Sequence, residues 1–263
     1  MQRRSLLKYL SMSTAGAAFS FGFPSLAAAI DGQSSNKQHG VDWGYSDENG
    51  PKLWGEMTPD YQVCQMGKQQ SPIDLDVAVH TENIGSLRFS YHSTKLHITN
   101  NGHTILLHVD RGNSITLDNK KFDLLQFHFH HPSEHTVKGK SYPMELHLVH
   151  RNAEGELAVL AVFLKQGKEN RALQPIWKDL PKTKNPEHTI SGSVNLIELL
   201  PPEKKAYRYF GSLTTPPCSE IVNWIVFEEP VQVSTQQLTA FASIFPQNAR
   251  PVQQRNHRFL LES

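Results

Sequence analysis

Gln126-Phe127-His128-Phe129-His130 and, about twenty residues on, Glu145-Leu146-His147-Leu148-Val149 alternate polar and apolar side chains with a period of two. That period belongs to a strand with one polar and one apolar face, since residues two apart point the same way. Gln126, His128 and His130 therefore share a face, with the phenylalanines opposite; Glu145, His147 and Val149 share a face of the second stretch. If the two strands lie side by side, three imidazoles converge. Three neutral ring nitrogens at about 2.0–2.1 Å are what a tetrahedral zinc takes from protein when its fourth position stays open. Phe129 and His131 face the other side of the strand, and an oxidising compartment would occupy the cysteines, which leaves water for the fourth place. Gln126 beside His128 and Glu145 beside His147 are placed to accept the outer ring N–H and fix the metal-binding tautomer. The competing reading is a strand pair that simply carries core or surface histidines. A single H-x-H supports metal binding weakly, and the second acceptor-and-ligand pair is what strengthens it.

Working outward, most of the chain reads as strands. Lys95–Asn100 and His103–Val109 flank Asn100-Asn101-Gly102, a hairpin composition. Ser114–Asp118, Phe122–His130, Met144–His150, Leu157–Leu164 and Ile221–Phe227 follow, with Arg151-Asn152-Ala153-Glu154-Gly155 as a further turn. Helical signals are few. Ser234-x-x-Gln237 forms a capping box ahead of Leu238, Phe241, Ala242 and Phe245 at helical spacing. Leu173, Ile176, Trp177 and Leu180 repeat that spacing, although Pro175 interrupts it. Consecutive strands with short connections predict a mainly β (α+β) chain built on a largely antiparallel sheet in one domain.

The chain has 263 residues, 38% apolar and 19% charged, enough to bury a sizeable core and incompatible with a disordered, collagenous or polytopic membrane protein. Eight of its 14 histidines fall between His103 and His150, a clustering that points to metal or proton chemistry. Arg3, Arg4 and Lys8 precede a weakly apolar stretch ending in Ala27-Ala28-Ala29, which reads as an export signal over residues 1–29. Its Arg3-Arg4-Ser5-Leu6-Leu7-Lys8 is twin-arginine-like, a general secretory signal being the alternative. Both routes lead out of the cytoplasm, and the expected destination is the periplasm. The apolar run is too short to span a bilayer permanently. Removing residues 1–29 takes away three positive charges and no acid, so the formal charge goes from +1 to −2. That near-neutral balance gives no electrostatic case for nucleic acid or anionic lipid as partners. Residues 30–40 read as a polar linker and 41–263 as the folded domain. Cys64 and Cys218, the two cysteines, are expected to pair in an oxidising compartment, free thiols being the alternative.

His131-Pro132-Ser133-Glu134-His135 spells H-x-x-E-H, an inverted zinc-peptidase motif. The motif needs a helix, and Pro132 directly after a strand predicts a turn. Taken together, Gln126–His130, Ser133-Glu134-His135-Thr136-Val137, Glu145–His150 and Ser212-Leu213-Thr214-Thr215-Pro216-Pro217 resemble the signatures of the α-class carbonic anhydrases. Asp42-Trp43-Gly44-Tyr45, Gln69-Gln70-Ser71-Pro72-Ile73-Asp74 and Asn223-Trp224-Ile225-Val226 resemble them too, in matching order from about Val41 to the C-terminus.

The resemblance implies a single domain around a twisted, mostly antiparallel ten-stranded central sheet, with a few short surface helices and zinc at the bottom of a conical cleft. It implies His128, His130 and His147 as zinc ligands and reversible hydration of carbon dioxide to bicarbonate and a proton, by attack of zinc-bound hydroxide on CO2. Thr214 resembles the residue that accepts a hydrogen bond from that hydroxide and donates its own to Glu134. Val149, Val159, Leu213, Thr215 and Trp224 fall at substrate-binding positions, though the apolar four would serve equally as core. His103 matches the proton shuttle, and Tyr45 the tyrosine that orders the intervening water. The Cys64–Cys218 pair resembles the disulfide of exported members. Sulfonamides and small anions are the implied inhibitors, and the implied assembly is a monomer or homodimer. One departure stands out: Leu106 replaces a polar residue three positions after His103, and His108 follows two further on, which leaves open whether His103 or His108 carries the proton. A non-catalytic zinc-containing binding module on the same fold is the alternative function.

Overall fold

The structure, a computed structural model, describes residues 41–82 and 84–263. The expected export signal and the linker over 30–40 lie outside the described residues. Twelve strands form the central sheet: β1 (Val79–His80), β2 (Leu87–Ser90), β3 (Leu96–Asn100), β4 (Ile105–Val109), β5 (Ser114–Leu117), β6 (Lys120–His130), β7 (Met144–Arg151), β8 (Leu157–Gln166), β9 (His188–Thr189), β10 (Ala206–Gly211), β11 (Val222–Val233) and β12 (Leu261–Glu262). Ten of them make one hydrogen-bonded path, in the order β1-β12-β10-β11-β8-β7-β6-β4-β3-β9, as expected; off it, β5 pairs with β6 and β2 with β5. Only β8·β11 and β1·β12 are parallel, so the sheet is mixed but mostly antiparallel. The α-helices among the described residues are short: α1 (Trp54–Met57), α2 (Val63–Met66), α3 (Gln174–Lys178) and α4 (Thr235–Ala242).

The middle of the sheet is buried on both sides. Leu157 to Leu164 are all buried, and β7 is buried from Met144 through His150. One face packs Phe127, Phe129, Leu146, Leu148 and Leu160 against Ile176 of α3 and Phe241 of α4. The other carries Val149, Val159, Trp224 and Tyr209 together with Ile73 and Leu75. The Ser234–Gln237 capping box forms as the sequence predicts. Pro175 sits in the first turn of α3, where no backbone N–H is needed, so it does not break the element. Several strand bounds differ from the expected ones by a residue or more, and the shift at His103, expected at the start of a strand, has a local cause. Asn101 Oδ1 accepts the N–H groups of His103 and Thr104, both at 2.9 Å, and this side-chain turn delays β4 to Ile105.

Cys64 and Cys218 are disulfide-bonded, closing a separation of 154 residues. The bond ties α2 to the Ser212–Cys218 loop. That loop is held further by Ser212 N–H to Ser71 Oγ (3.1 Å), Ser71 N–H to Ser212 Oγ (2.9 Å) and Trp224 Nε1–H to Ser212 O (3.0 Å).

Candidate metal centre and cleft

Register places the site. In β6·β7, His147 lies directly opposite His128 and Glu145 opposite His130, while Val149 lies opposite Gln126. The next pairings extend that last row across the sheet: His97, His108, Gln126, Val149, Val159 and Trp224 stand side by side on one face. The three imidazoles occupy the neighbouring rows. One face therefore carries a polar end at His97 and His108, an apolar end at Val149, Val159 and Trp224, and histidines between.

The rings of His128, His130 and His147 stand 4.6 to 5.3 Å apart between centroids. Each offers one nitrogen to a group whose members all lie within 4.8 Å of one another. The opposite nitrogen of each ring is engaged: His128 Nδ1–H donates to Gln126 Oε1 (2.8 Å), His130 Nδ1–H to Asn248 O (2.7 Å) and His147 Nε2–H to Glu145 Oε1 (2.8 Å). Three N–H groups directed outward leave three lone pairs directed inward. Burial, followed by the neighbouring imidazoles, holds His128 well below the ordinary histidine range. Burial also lowers His130, against the opposing pull of Glu134. Neutral rings are the form that binds a metal. His130 Nε2 is buried without a hydrogen-bond partner, a costly arrangement for a ring nitrogen that nothing ligates. The donor set fits zinc.

Glu145 orients more than His147. Its Oε1 also accepts from His135 Nδ1–H (2.6 Å), and its Oε2 accepts the N–H groups of Glu134 (2.8 Å) and His135 (2.9 Å). Burial works to raise this carboxyl, and His135 and His147 outweigh it, holding it well below the usual carboxylate range. His135 Nε2 in turn meets Tyr209 Oη at 2.7 Å, and Tyr209 donates to Ser71 Oγ at 3.0 Å. The H-x-x-E-H match dissolves here. His135 is turned to Glu145, His131 donates Nδ1–H to Pro246 O (2.9 Å), and the segment is a turn with a cis His131–Pro132 bond.

Glu134 is buried. Its Oε1 accepts the Arg250 N–H at 2.8 Å, while its Oε2 has no hydrogen-bond partner and lies 3.5 Å from His130 Nε2. The expected bond from Thr214 to Glu134 is thus not formed, which corrects that reading: the carboxylate is anchored by Arg250 and leans toward the imidazoles. Thr214 is buried in the disulfide-tied loop. Leu213 packs with Val149, Val159 and Trp224 in the second core cluster, and Thr215 O accepts the Cys218 N–H at 2.9 Å.

His103 stacks on Trp43, centroids 3.8 Å apart and planes 8° from parallel. Burial and then Lys184 lower its proton affinity, against Asp42. Tyr45 meets Trp43 and Trp54 edge-on, and burial, then Glu134, raises its hydroxyl well above the ordinary tyrosine range. Leu106, 4% exposed, stands directly opposite His128. Sequence reasoning missed Asn248, Arg250 and Tyr209, whose roles depend on partners far along the chain; no periodic signal marks them.

Residues 49–263 match the family model described as eukaryotic-type carbonic anhydrase. A carbonic anhydrase of Nostoc sp. is 44% identical over an alignment covering 100% of this chain and 98% of that protein. Among solved structures, the complex of the α-carbonic anhydrase from Thermovibrio ammonificans with the inhibitor sulfanilamide superposes with a TM-score of 0.82 at 44% identity, covering 84% of this chain and 99% of that one. A hyperthermostable carbonic anhydrase from a hydrothermal vent chimney gives 0.79 at 45% identity, covering 84% and 99% respectively.

Proposed function

The chain belongs to the eukaryotic-type, or α-class, carbonic anhydrase family, and we propose that it hydrates carbon dioxide reversibly with a zinc ion held by His128, His130 and His147. The observation that carries this is the imidazole triad, with every outer N–H engaged and His130 Nε2 buried without a partner. When bound, zinc lowers the pKa of a water molecule from 15.7 to about 7, a value established for carbonic anhydrase itself, and so supplies a hydroxide nucleophile at neutral pH.

The chain's own residues do the rest. Val149, Val159, Leu213 and Trp224 offer apolar surface to a substrate without charge or dipole, with Thr215 at the edge of that wall. The Thr214 hydroxyl, buried in the disulfide-tied loop, would accept a hydrogen bond from the attacking oxygen and so help aim a lone pair at the substrate carbon. Glu134, with one oxygen fixed by the Arg250 N–H, holds its other oxygen toward the imidazoles. Gln126, Glu145 and Asn248 hold the three ligand rings in orientation. His103 takes the released proton outward, with Tyr45 ordering water along the way. The disulfide supports reading residues 1–29 as an export signal, since an oxidising compartment is where such a bond persists. No helix among the described residues is long and apolar enough to cross a membrane.

Stopped-flow CO2 hydration by the purified, zinc-loaded chain, with and without an aromatic sulfonamide, tests the proposal. Fast hydration abolished by the sulfonamide is expected. A folded, zinc-loaded chain without hydration would instead be a binding module.

A further inference from the structure

The polar end of the cleft row holds an imidazole that the reaction above does not use. We propose that His108, held by Glu187, is a second proton acceptor of the cleft, working beside His103. This rests on the carbonic anhydrase reading of the site.

Register puts His108 on the cleft face. Ile105, Leu107 and Val109 of β4 turn into the core, so Leu106 and His108 turn the other way, opposite His128 and Gln126 respectively. His108 is thereby the diagonal neighbour of His128, a relation that places their Cα atoms about 7–8 Å apart.

Its partners suit the task. His108 Nδ1–H donates to Glu187 Oε2 in a short hydrogen bond, which leaves Nε2 to take up a proton. The His108 side chain is 22% exposed and Glu187 33%, so the pair reaches solvent. From β3, His97 stands directly opposite His108, hydrogen-bonded to Asp110 at 3.2 Å and to Thr189 of β9 at 2.9 Å. From β6, the facing group is Gln126, which is neutral. The titratable groups around His108 are therefore Glu187, Asp110 and His97, the last standing one strand nearer the sheet edge.

Two features make a second route useful here. Leu106 puts an apolar side chain against His128 on the side facing this rim. His103 lies flat on Trp43 and is disfavoured as a cation by burial. The step is a proton transfer and nothing else. A cleft water passes one proton to His108 Nε2 and takes one up from the reacting site behind it, so the water is unchanged, while the Nδ1 proton stays on the ring, hydrogen-bonded to Glu187. The imidazolium then gives its Nε2 proton to a buffer base, regenerating the neutral ring.

The test uses the zinc-loaded full chain as wild type, H103A, H108Q and H103A/H108Q; glutamine keeps a donor for Glu187 but cannot ionise. Hydration is measured in dilute, bulky buffer and again with added imidazole. The expected result is that H108Q on the H103A background lowers kcat a further fivefold or so, with kcat/KM within about twofold and imidazole restoring kcat. An unchanged kcat on adding H108Q to the H103A background overturns the proposal. A parallel fall in kcat/KM that imidazole does not restore also overturns it, because it marks a structural role. Absence of hydration by the wild type overturns the carbonic anhydrase reading instead, and this proposal with it.

Discussion

Glu145→Gln is the substitution that most directly probes how the ligand rings are held. The carboxylate is fully buried and accepts four hydrogen bonds, two at each oxygen: His135 and His147 at Oε1, and the N–H groups of Glu134 and His135 at Oε2. An amide replaces one acceptor oxygen by an NH2. Whichever way it turns, two donors then face a donor. Hydrogen bonds to a charged acceptor contribute about 1.5–3 kcal/mol each, so losing two costs about 3–6 kcal/mol. Removing a buried charge offsets part of that, which favours the lower end. His147 also loses the acceptor that fixes its tautomer, and such losses weaken metal binding about 10–100-fold. Zinc affinity is read by competition with a chromophoric chelator, and stability by urea unfolding at neutral pH. The expected outcome is weaker zinc binding together with a lower urea midpoint. A zinc Kd within about twofold of wild type would refute the orienting role, whatever happens to stability.

Three further outcomes are expected. His147→Ala should abolish both zinc retention and CO2 hydration, measured by metal analysis of the dialysed protein and by stopped flow; a fully active variant would remove His147 from the ligand set. Reducing the Cys64–Cys218 bond, or replacing both with serine, should lower unfolding stability by up to about 5 kcal/mol on the chain-entropy model for a loop of this length, read by urea titration with and without dithiothreitol. His150 is buried, donates Nδ1–H to Ala158 O, accepts from Tyr91 Oη, and is pushed down to about 4 by burial. Because its folded value lies below its unfolded one of about 6.5, the unfolded chain binds the extra proton between those values. Stability should therefore fall by about 3 kcal/mol from this residue as pH drops from 6.5 to 4, and His150→Asn should flatten that part of the urea-stability profile.

The strands and their faces were legible because a period of two is a local property. It survives any arrangement that buries one side of a strand. From His128, His130 and His147 on two alternating stretches, and from their neighbours Gln126 and Glu145, the chain's chemistry could be read before any fold was known. The capping box at Ser234 is local in the same way, and the pairing of two cysteines needed only a compartment.

What the sequence left open involves partners distant along the chain. His130 gives its outer N–H to the backbone of Asn248, 118 residues away, and a carbonyl has no residue signature. Glu134 takes its anchor from the Arg250 backbone and lacks the Thr214 bond expected of it, because the position of its second oxygen is decided by packing around the imidazoles. His103 resembled a shuttle, but only the fold lays it on Trp43. His108 was a rim histidine until the β3·β4·β6 register set it between His97 and Gln126 and brought Glu187 to its ring. Alternation along a strand determines which way a side chain points; only the register between strands, set by loops without periodicity, decides what it meets there.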